Sequence, residues 1–131
     1  MHVFVYGTLT DPGRVETVLD EYAFRGRATL QGLHRVEGRY PTLAPGGAVE
    51  GRVLETPEIA ALDRYEGVED GLYCRVSVPV TDAPAAPIDD TTVAVYVGDP
   101  DRLDAPADWP GSGPLERRVQ QYLSEHEVSF K

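Results

Sequence analysis

The sequence predicts an α+β fold built as a single domain of 131 residues. Three observations support this expectation: strand-like segments follow one another in runs, two helices open at clear capping signals, and the length suits one sizeable core. Runs of strands with few helices between them are typical of α+β rather than doubly wound α/β domains. A small closed or nearly closed sheet flanked by helices would also protect the edges of the strands.

The chain opens with a short strand and a helix. Residues 2–6 (HVFVY) are β-branched and aromatic and stop at Gly7, which predicts a buried strand that ends in a turn. Asp11 and Pro12 then provide a helix N-cap and a proline suited to the first helical position. Apolar residues follow at helical spacing: Val15, Val18, Leu19 and Tyr22.

The middle of the chain is predicted to contain two strands and a second helix. Residues 28–36 and 49–54 have strand-like patterns, and the glycines and prolines of residues 38–47 predict a loop between them. Thr56-Pro57 repeats the capping signal and opens a helix that ends at Gly67.

The second half of the chain continues the mixture of strands and helices. Residues 72–80 alternate between apolar and polar side chains and form the clearest strand, in which Pro79 indicates an edge or a bulge. The remaining predictions are an exposed, mobile loop at 81–90, a strand at 91–97, an irregular connection at 101–114 and a final helix opened by Pro114.

Charge and composition exclude several kinds of partner. The net charge is -10, and the basic residues are eleven arginines and one lysine. Such a surface repels phosphate backbones and anionic membranes, so neither nucleic acid nor membrane is an expected partner. The acids are spread along the chain, which favours a solvated surface suited to a salt-rich cytoplasm over a docking site for a cationic partner. A secretory signal and an apolar run of membrane-spanning length are both absent from the sequence, so a cytoplasmic location is expected.

The sequence offers few of the usual catalytic groups. One cysteine and three scattered histidines lack metal-ligand spacing, so neither a metal nor a cofactor is expected. Cys74 falls on the apolar register of its strand, which predicts a buried, inert thiol. The motifs of serine hydrolases, phosphate-binding loops and dinucleotide-binding folds are missing. Any catalysis must therefore come from carboxylates, tyrosines and backbone groups.

Two local features can carry such chemistry. Residues 6–9 (YGTL) lie where a buried strand meets a helix, and their outward-facing amides could bind an anion, although an ordinary turn explains the same residues. Glu66 stands at a helix C-terminus, where the helix dipole disfavours a carboxylate. Partial burial would raise its pKa further, toward the range of a general base, while chance placement in an acid-rich chain is the alternative.

Several segments taken together resemble the gamma-glutamylcyclotransferase-like proteins. The segments occur in matching order between residues 2 and 98: VFVYGTL at 3–9, Tyr40-Pro41, VEGRV at 49–53, LDRYEGV at 62–68, Tyr73 with Arg75, and VYV at 95–97. The resemblance implies a small mixed β-barrel flanked by short helices. It also implies a pocket at one end of the barrel, between the YGTL loop and Glu66.

The resemblance further implies an enzyme that works without a cofactor. Such an enzyme cleaves a gamma-glutamyl amide by internal attack of the substrate's α-amine, releasing 5-oxoproline and an amine or amino acid. Glu66 would be the catalytic residue, and the residues expected to bind substrate are Tyr6, Gly7, Thr8, Leu9, Tyr40, Tyr73 and Tyr96. Tyr73 is the foremost of the pocket hydroxyls implied by the resemblance, ahead of Tyr40 and Tyr96, and a structural role in the core is the alternative for all three. Two other functions stay open, a gamma-glutamylamine cyclotransferase and a non-catalytic barrel that binds a small acidic metabolite.

Overall fold

The computed structural model describes residues 1–79, 92–126 and 128–130, and these form a mixed sheet with short helices around it. The strands are β1 (His2–Val5), β2 (Ala23–Val36), β3 (Thr42–Glu55), β4 (Tyr73–Pro79), β5 (Thr92–Gly98) and β6 (Ser129–Phe130). The helices are α1 (Pro12–Val18), α2 (Ile59–Glu66), α3 (Pro100–Leu103) and α4 (Leu115–Glu125), and a 3-10 turn covers Thr8–Thr10. The predicted α+β class is confirmed, and the predicted loop at 81–90 lies outside the described residues.

The sheet is open, so the expectation of a closed β-barrel is wrong. Its strands follow the order β4-β5-β1-β3-β2-β6, with β1 and β5 parallel and the other neighbours antiparallel. Closing a barrel requires the two outermost strands to pair. Within the described residues, β6 is two residues long and pairs only with Leu30 and Gln31 of β2, while α4 packs against β4 at the other end.

The second strand of the long β2–β3 hairpin begins earlier than predicted. Residues 42–47 belong to β3 and not to a loop. The ladder with β2 shifts between Gln31 and Leu33, where Gly46 and Gly47 adopt φ angles of 94° and 71° that form a bulge. Because β1 pairs only with residues 52–55 of β3, Pro45 stands where the strand has a ladder partner on one side, a position that tolerates proline.

The helices lie close to where the sequence predicts them, although α2 begins at Ile59 with Glu58 as its N-cap, so the prediction that Thr56-Pro57 opens this helix is wrong by two residues. The Asp11 carboxylate accepts a hydrogen bond from the amide of Gly13 at 3.0 Å, although α1 ends at Val18, before Tyr22. Gly67 ends α2 in the left-handed conformation, with φ of 69°. The predicted irregular connection contains the short helix α3, and α4 opens after Pro114 as expected.

The sheet is covered on both faces, and β1 is buried between the two layers. Val3 and Val5 pack on the side of α1 and α2, together with Leu9 and Leu62. Phe4 packs on the opposite side, where α4 and the loop before it cover the sheet. The loop that follows β1 therefore leaves the sheet from its most buried strand. In the described part of the chain, none of the helices has the length and apolar character needed to cross a membrane.

Candidate active site

A cavity of about 340 Å³ opens beside the carboxyl end of β1. Every site residue that the sequence predicts contributes to its wall: Tyr6, Gly7, Thr8, Leu9, Tyr40, Glu66, Tyr73 and Tyr96. The wall also contains residues that sequence reasoning did not single out as site residues, namely Phe4, Val5, Arg14, Pro41, Tyr65 and Leu72. The volume lies at the lower end of the range of small-molecule pockets, about 300–1,000 Å³.

The loop after β1 presents unpaired backbone amides. The carbonyl of Gly7 accepts hydrogen bonds from the amide and the hydroxyl of Thr10, at 3.1 and 2.7 Å, which holds the turn closed. The amides of Thr8 and Leu9 donate to no group in the described part of the chain, since the first amides of a helical turn have no partner within it. A Cβ built on Gly7 would meet the Pro41 ring at 3.6 Å, which is an ordinary contact distance. The backbone angles of Gly7, φ of -124° and ψ of -129°, lie outside the main regions that residues with a Cβ adopt.

Glu66 brings an isolated carboxylate to the same cavity. It is the last residue of α2, immediately before the capping Gly67, as the sequence indicates. The side chain is half-buried and forms no hydrogen bond or ion pair with any described residue. Burial raises the pKa of this carboxyl from 4.5 to about 7, because the charged form loses hydration without gaining a partner. At neutral pH such a group can both accept and donate a proton.

The buried tyrosines have their hydroxyl protons committed to other groups. Tyr6 donates to the carbonyl of Tyr96 at 2.5 Å, and Tyr73 donates to the carbonyl of Pro41 at 2.6 Å. Burial is the main cause that raises the pKa of both hydroxyls, so they stay neutral. Their oxygens retain the capacity to accept a hydrogen bond from a ligand.

Tyr96 is fixed by a different contact. Its hydroxyl donates to the Asp63 carboxylate at 2.7 Å, and Asp63 also lies 3.6 Å from the Arg75 guanidinium. Burial, followed by the bond to Asp63, raises the pKa of Tyr96. The hydroxyl of Tyr96 thus connects the wall of the cavity to α2.

The mouth of the cavity carries exposed aromatic side chains. Tyr40 is 56% exposed and makes no hydrogen bond within the described residues, so it lines the opening of the cavity and not its buried part. Tyr65 is 38% exposed, and its hydroxyl lies 2.9 Å from the Thr8 hydroxyl. This hydrogen bond joins the YGTL loop to the helix that carries Glu66.

The sequence did not identify Arg14 and Tyr65 as residues of the cavity wall. Arg14 lies in α1, only a few residues beyond the YGTL loop, yet an exposed arginine on a short helix has no local pattern that marks it. Tyr65 directly precedes Glu66, and that adjacency was the available signal. Cys74 is partly exposed, so the prediction that it is fully buried is wrong. Desolvation still raises the pKa of its thiol to about 12, which disfavours the reactive thiolate.

The fold is that of the gamma-glutamyl cyclotransferases. A solved structure described as "Gamma-glutamyl cyclotransferase" superimposes with a TM-score of 0.61, covering 96% of this chain and 99% of that chain at 16% identity. At such low identity the similarity concerns the fold alone. An Arabidopsis thaliana protein of known solution structure superimposes with a TM-score of 0.56 at 30% identity, covering 95% of this chain and 83% of that one.

The sequence comparison gives the family. This chain belongs to the family described as "Gamma-glutamyl cyclotransferase, AIG2-like", whose model matches residues 3–111. Among individual relatives, "AIG2-like protein C" of Arabidopsis thaliana is 40% identical over 86 residues, which is 60% of this chain and 48% of that protein. The chain spans about half the length of the curated relatives it matches.

Proposed function

We propose that this protein is a cyclotransferase that cleaves a gamma-glutamyl amide by attack of the substrate's own α-amine on the γ-carbonyl carbon. The observation that carries the proposal is Glu66, a carboxylate in the wall of a small cavity that has no partner among the described residues and whose pKa is raised by burial to about 7. Membership of the cyclotransferase family supports this type of chemistry.

The reaction needs a base that works near neutral pH. An α-ammonium group has a pKa of about 8 and must lose a proton before its nitrogen can attack. Glu66 suits this task, because its pKa lies close to neutral pH. A base with such a pKa is partly ionised at that pH and still binds a proton strongly enough to remove it from the ammonium group. The α-nitrogen forms a bond to the carbonyl carbon of the γ-glutamyl amide, and the bond from that carbon to the leaving nitrogen breaks. Two of the three ammonium protons pass by way of Glu66 to the leaving nitrogen, which departs as an ammonium, and the third stays on the lactam nitrogen. The products are 5-oxoproline and an amine or amino acid.

The remaining lining groups hold the substrate folded for ring closure. The free amides of Thr8 and Leu9 bind the substrate carboxylate or the oxyanion that develops on the γ-carbonyl. The hydroxyl oxygens of Tyr6 and Tyr73, whose protons point elsewhere, accept hydrogen bonds from the α-ammonium. Holding the glutamyl chain in this way keeps the α-amine close to the carbonyl carbon and correctly oriented for attack, which lowers the entropic part of the barrier.

The unpaired carboxylate favours an enzyme over a protein that only binds an acidic metabolite. A binding pocket for an anion gains nothing from Glu66, because its ionised form repels the ligand. It also loses stability from the same residue, since burial of an unpaired carboxylate is unfavourable. A role in proton transfer explains why a glutamate stands at position 66 despite this loss of stability.

The test is the release of 5-oxoproline from a panel containing gamma-glutamylcysteine, gamma-glutamylalanine and gamma-glutamyl-lysine, at low and at multimolar salt. We expect turnover of at least one substrate, and a loss of about 10²–10⁴-fold in kcat for Glu66→Gln, the range for removing a general base. Glu69→Gln is the matched control, because Glu69 is exposed and lies outside the cavity wall. Unchanged activity in Glu66→Gln, or no turnover of any substrate in either salt condition, would contradict the proposal.

A further inference from the structure

Arg14 is the one cation in the described wall of the cavity, and its only charged companion there is Glu66. The Arg14 guanidinium forms no hydrogen bond or ion pair with any described residue. Six of the other ten arginines do form such a side-chain contact with a described residue, for example Arg35 with Glu37 and Arg75 with Asp63. An unengaged guanidinium beside a small pocket is available to bind a planar anion.

The exposure of the lining residues separates a floor from a mouth. Tyr6 and Tyr73 are each 7% exposed and form the floor, together with the half-buried Glu66. Arg14, Tyr40 and Tyr65 are exposed and form the mouth. The glutamyl part of a substrate must reach Glu66, so the group that leaves faces the mouth and Arg14.

We propose that Arg14 binds the carboxylate of the leaving amino acid and so makes gamma-glutamyl-α-amino acids, rather than gamma-glutamyl amines, the preferred substrates. This inference rests on the proposed function and adds to it the class of leaving group. A carboxylate on the leaving group pairs with the guanidinium, whereas a neutral alkyl amine leaves it unpaired and a cationic one is repelled by it.

The charge of the protein makes this contact important. With a net charge of -10 the surface as a whole repels an anionic substrate. A guanidinium at the mouth attracts a carboxylate over distances shorter than the Debye length, about 8 Å at physiological ionic strength. The preference for a carboxylate-bearing leaving group therefore depends on this one side chain, and it weakens with added salt.

The test compares gamma-glutamylalanine with gamma-glutamylethylamide, which is the same molecule with the alanine carboxylate replaced by hydrogen. We expect wild-type protein to prefer gamma-glutamylalanine in kcat/KM. Arg14→Gln should lower kcat/KM for gamma-glutamylalanine about 10- to 100-fold, the range for losing a hydrogen bond between charged groups, and leave the ethylamide unaffected. Arg14→Lys should restore part of the preference, since it keeps the charge without the bidentate geometry.

Arg64→Gln is the matched control, since Arg64 is an exposed arginine on α2 that lies outside the cavity wall. It should keep the preference of the wild type. An equal loss on both substrates in Arg14→Gln would mean that Arg14 binds the glutamyl half or supports the structure, and no loss on either would mean that it binds nothing. Both results overturn the inference.

Failure of the proposed reaction can be told apart from failure of this inference. If wild-type protein releases 5-oxoproline from neither of these compounds and from no member of the panel above, the proposed reaction is not its function, and calorimetric binding of the two intact compounds then tests Arg14 directly. Tighter binding of gamma-glutamylalanine that disappears in Arg14→Gln supports the role of Arg14. Equal affinities, or no binding, refutes it.

Discussion

Replacing Glu66 with glutamine should stabilise the folded protein above pH 7 while it removes activity. The carboxyl has a pKa of about 7 in the folded protein and 4.5 as its ordinary value. Between these two pH values the folded state binds more protons than the unfolded state, so stability falls as pH rises through the interval. The stabilising contribution of the neutral carboxyl is complete below pH 4.5 and has been lost above pH 7.

The size of the effect follows from the two pKa values. Each tenfold change in the proton equilibrium is worth about 1.4 kcal/mol, so the whole interval corresponds to about 3 kcal/mol. This is an upper limit, because a half-buried carboxylate keeps some contact with water. The sequence pI is about 4.6, and a protein near its pI tends to precipitate, so measurements are best made at pH 5.5 and above. Between pH 5.5 and full ionisation of Glu66 the folding stability should still fall by about 2 kcal/mol.

The assay is urea denaturation of wild type, Glu66→Gln and Glu69→Gln at pH 5.5 and pH 8. Other groups titrate alike in all three proteins, so the informative quantity is the stability of each variant relative to wild type at each pH. Glu66→Gln should gain about 1–2 kcal/mol relative to wild type between pH 5.5 and pH 8, whereas exposed Glu69 should show no such trend. A difference from wild type that is the same at both pH values would refute the burial of an unpaired carboxylate at Glu66.

Further outcomes are expected from the same structure. In wild type kcat/KM should rise between pH 6 and pH 7.5 and then level off, because only ionised Glu66 accepts a proton; a flat profile over this range would exclude it as the base. Tyr65→Phe removes the 2.9 Å hydrogen bond to Thr8 and should lower activity about two- to tenfold, with no further loss when Thr8→Val is added; additive losses would show that the contact is unimportant. Gly98→Ala should destabilise the fold by about 1–3 kcal/mol, since its Cβ would overlap a leucine of α3, whereas Gly13→Ala meets only ordinary contacts; equal urea midpoints for the two would contradict this.

Local signals in the sequence predicted most of the fold. The Asp11 cap, the stop at Gly67 and the alternation of residues 72–79 depend on neighbouring residues alone, and the structure has each of them where expected. The start of β3 could not be predicted in this way, because it depends on which edges of the strand are paired and on a bulge formed with β2. Whether the sheet closes is decided by β4 and β6, which are far apart in the chain, so the barrel expectation had no local check.

The composition of the candidate site was more predictable than its contacts. The ordered segments around residues 6–9 and 62–68 were enough to bring the predicted residues to one cavity. The directions of the tyrosine hydroxyls were beyond sequence reasoning, since the acceptors are backbone carbonyls of distant residues such as Pro41. Arg14 was beyond it for a similar reason: its significance lies in having no partner among the described residues, and a sequence does not show which charges remain unpaired.

The commitment of the Tyr6 and Tyr73 hydroxyl protons to backbone carbonyls has a consequence for turnover. In the proposed reaction the substrate nitrogen enters as an ammonium, with three hydrogens and a positive charge to offer to these oxygens. It leaves as the lactam nitrogen of 5-oxoproline, which is neutral and has a single hydrogen. The same two oxygens therefore have more hydrogens and more charge to bind in the starting material than in the product, so we expect 5-oxoproline to bind more weakly than the gamma-glutamyl substrate.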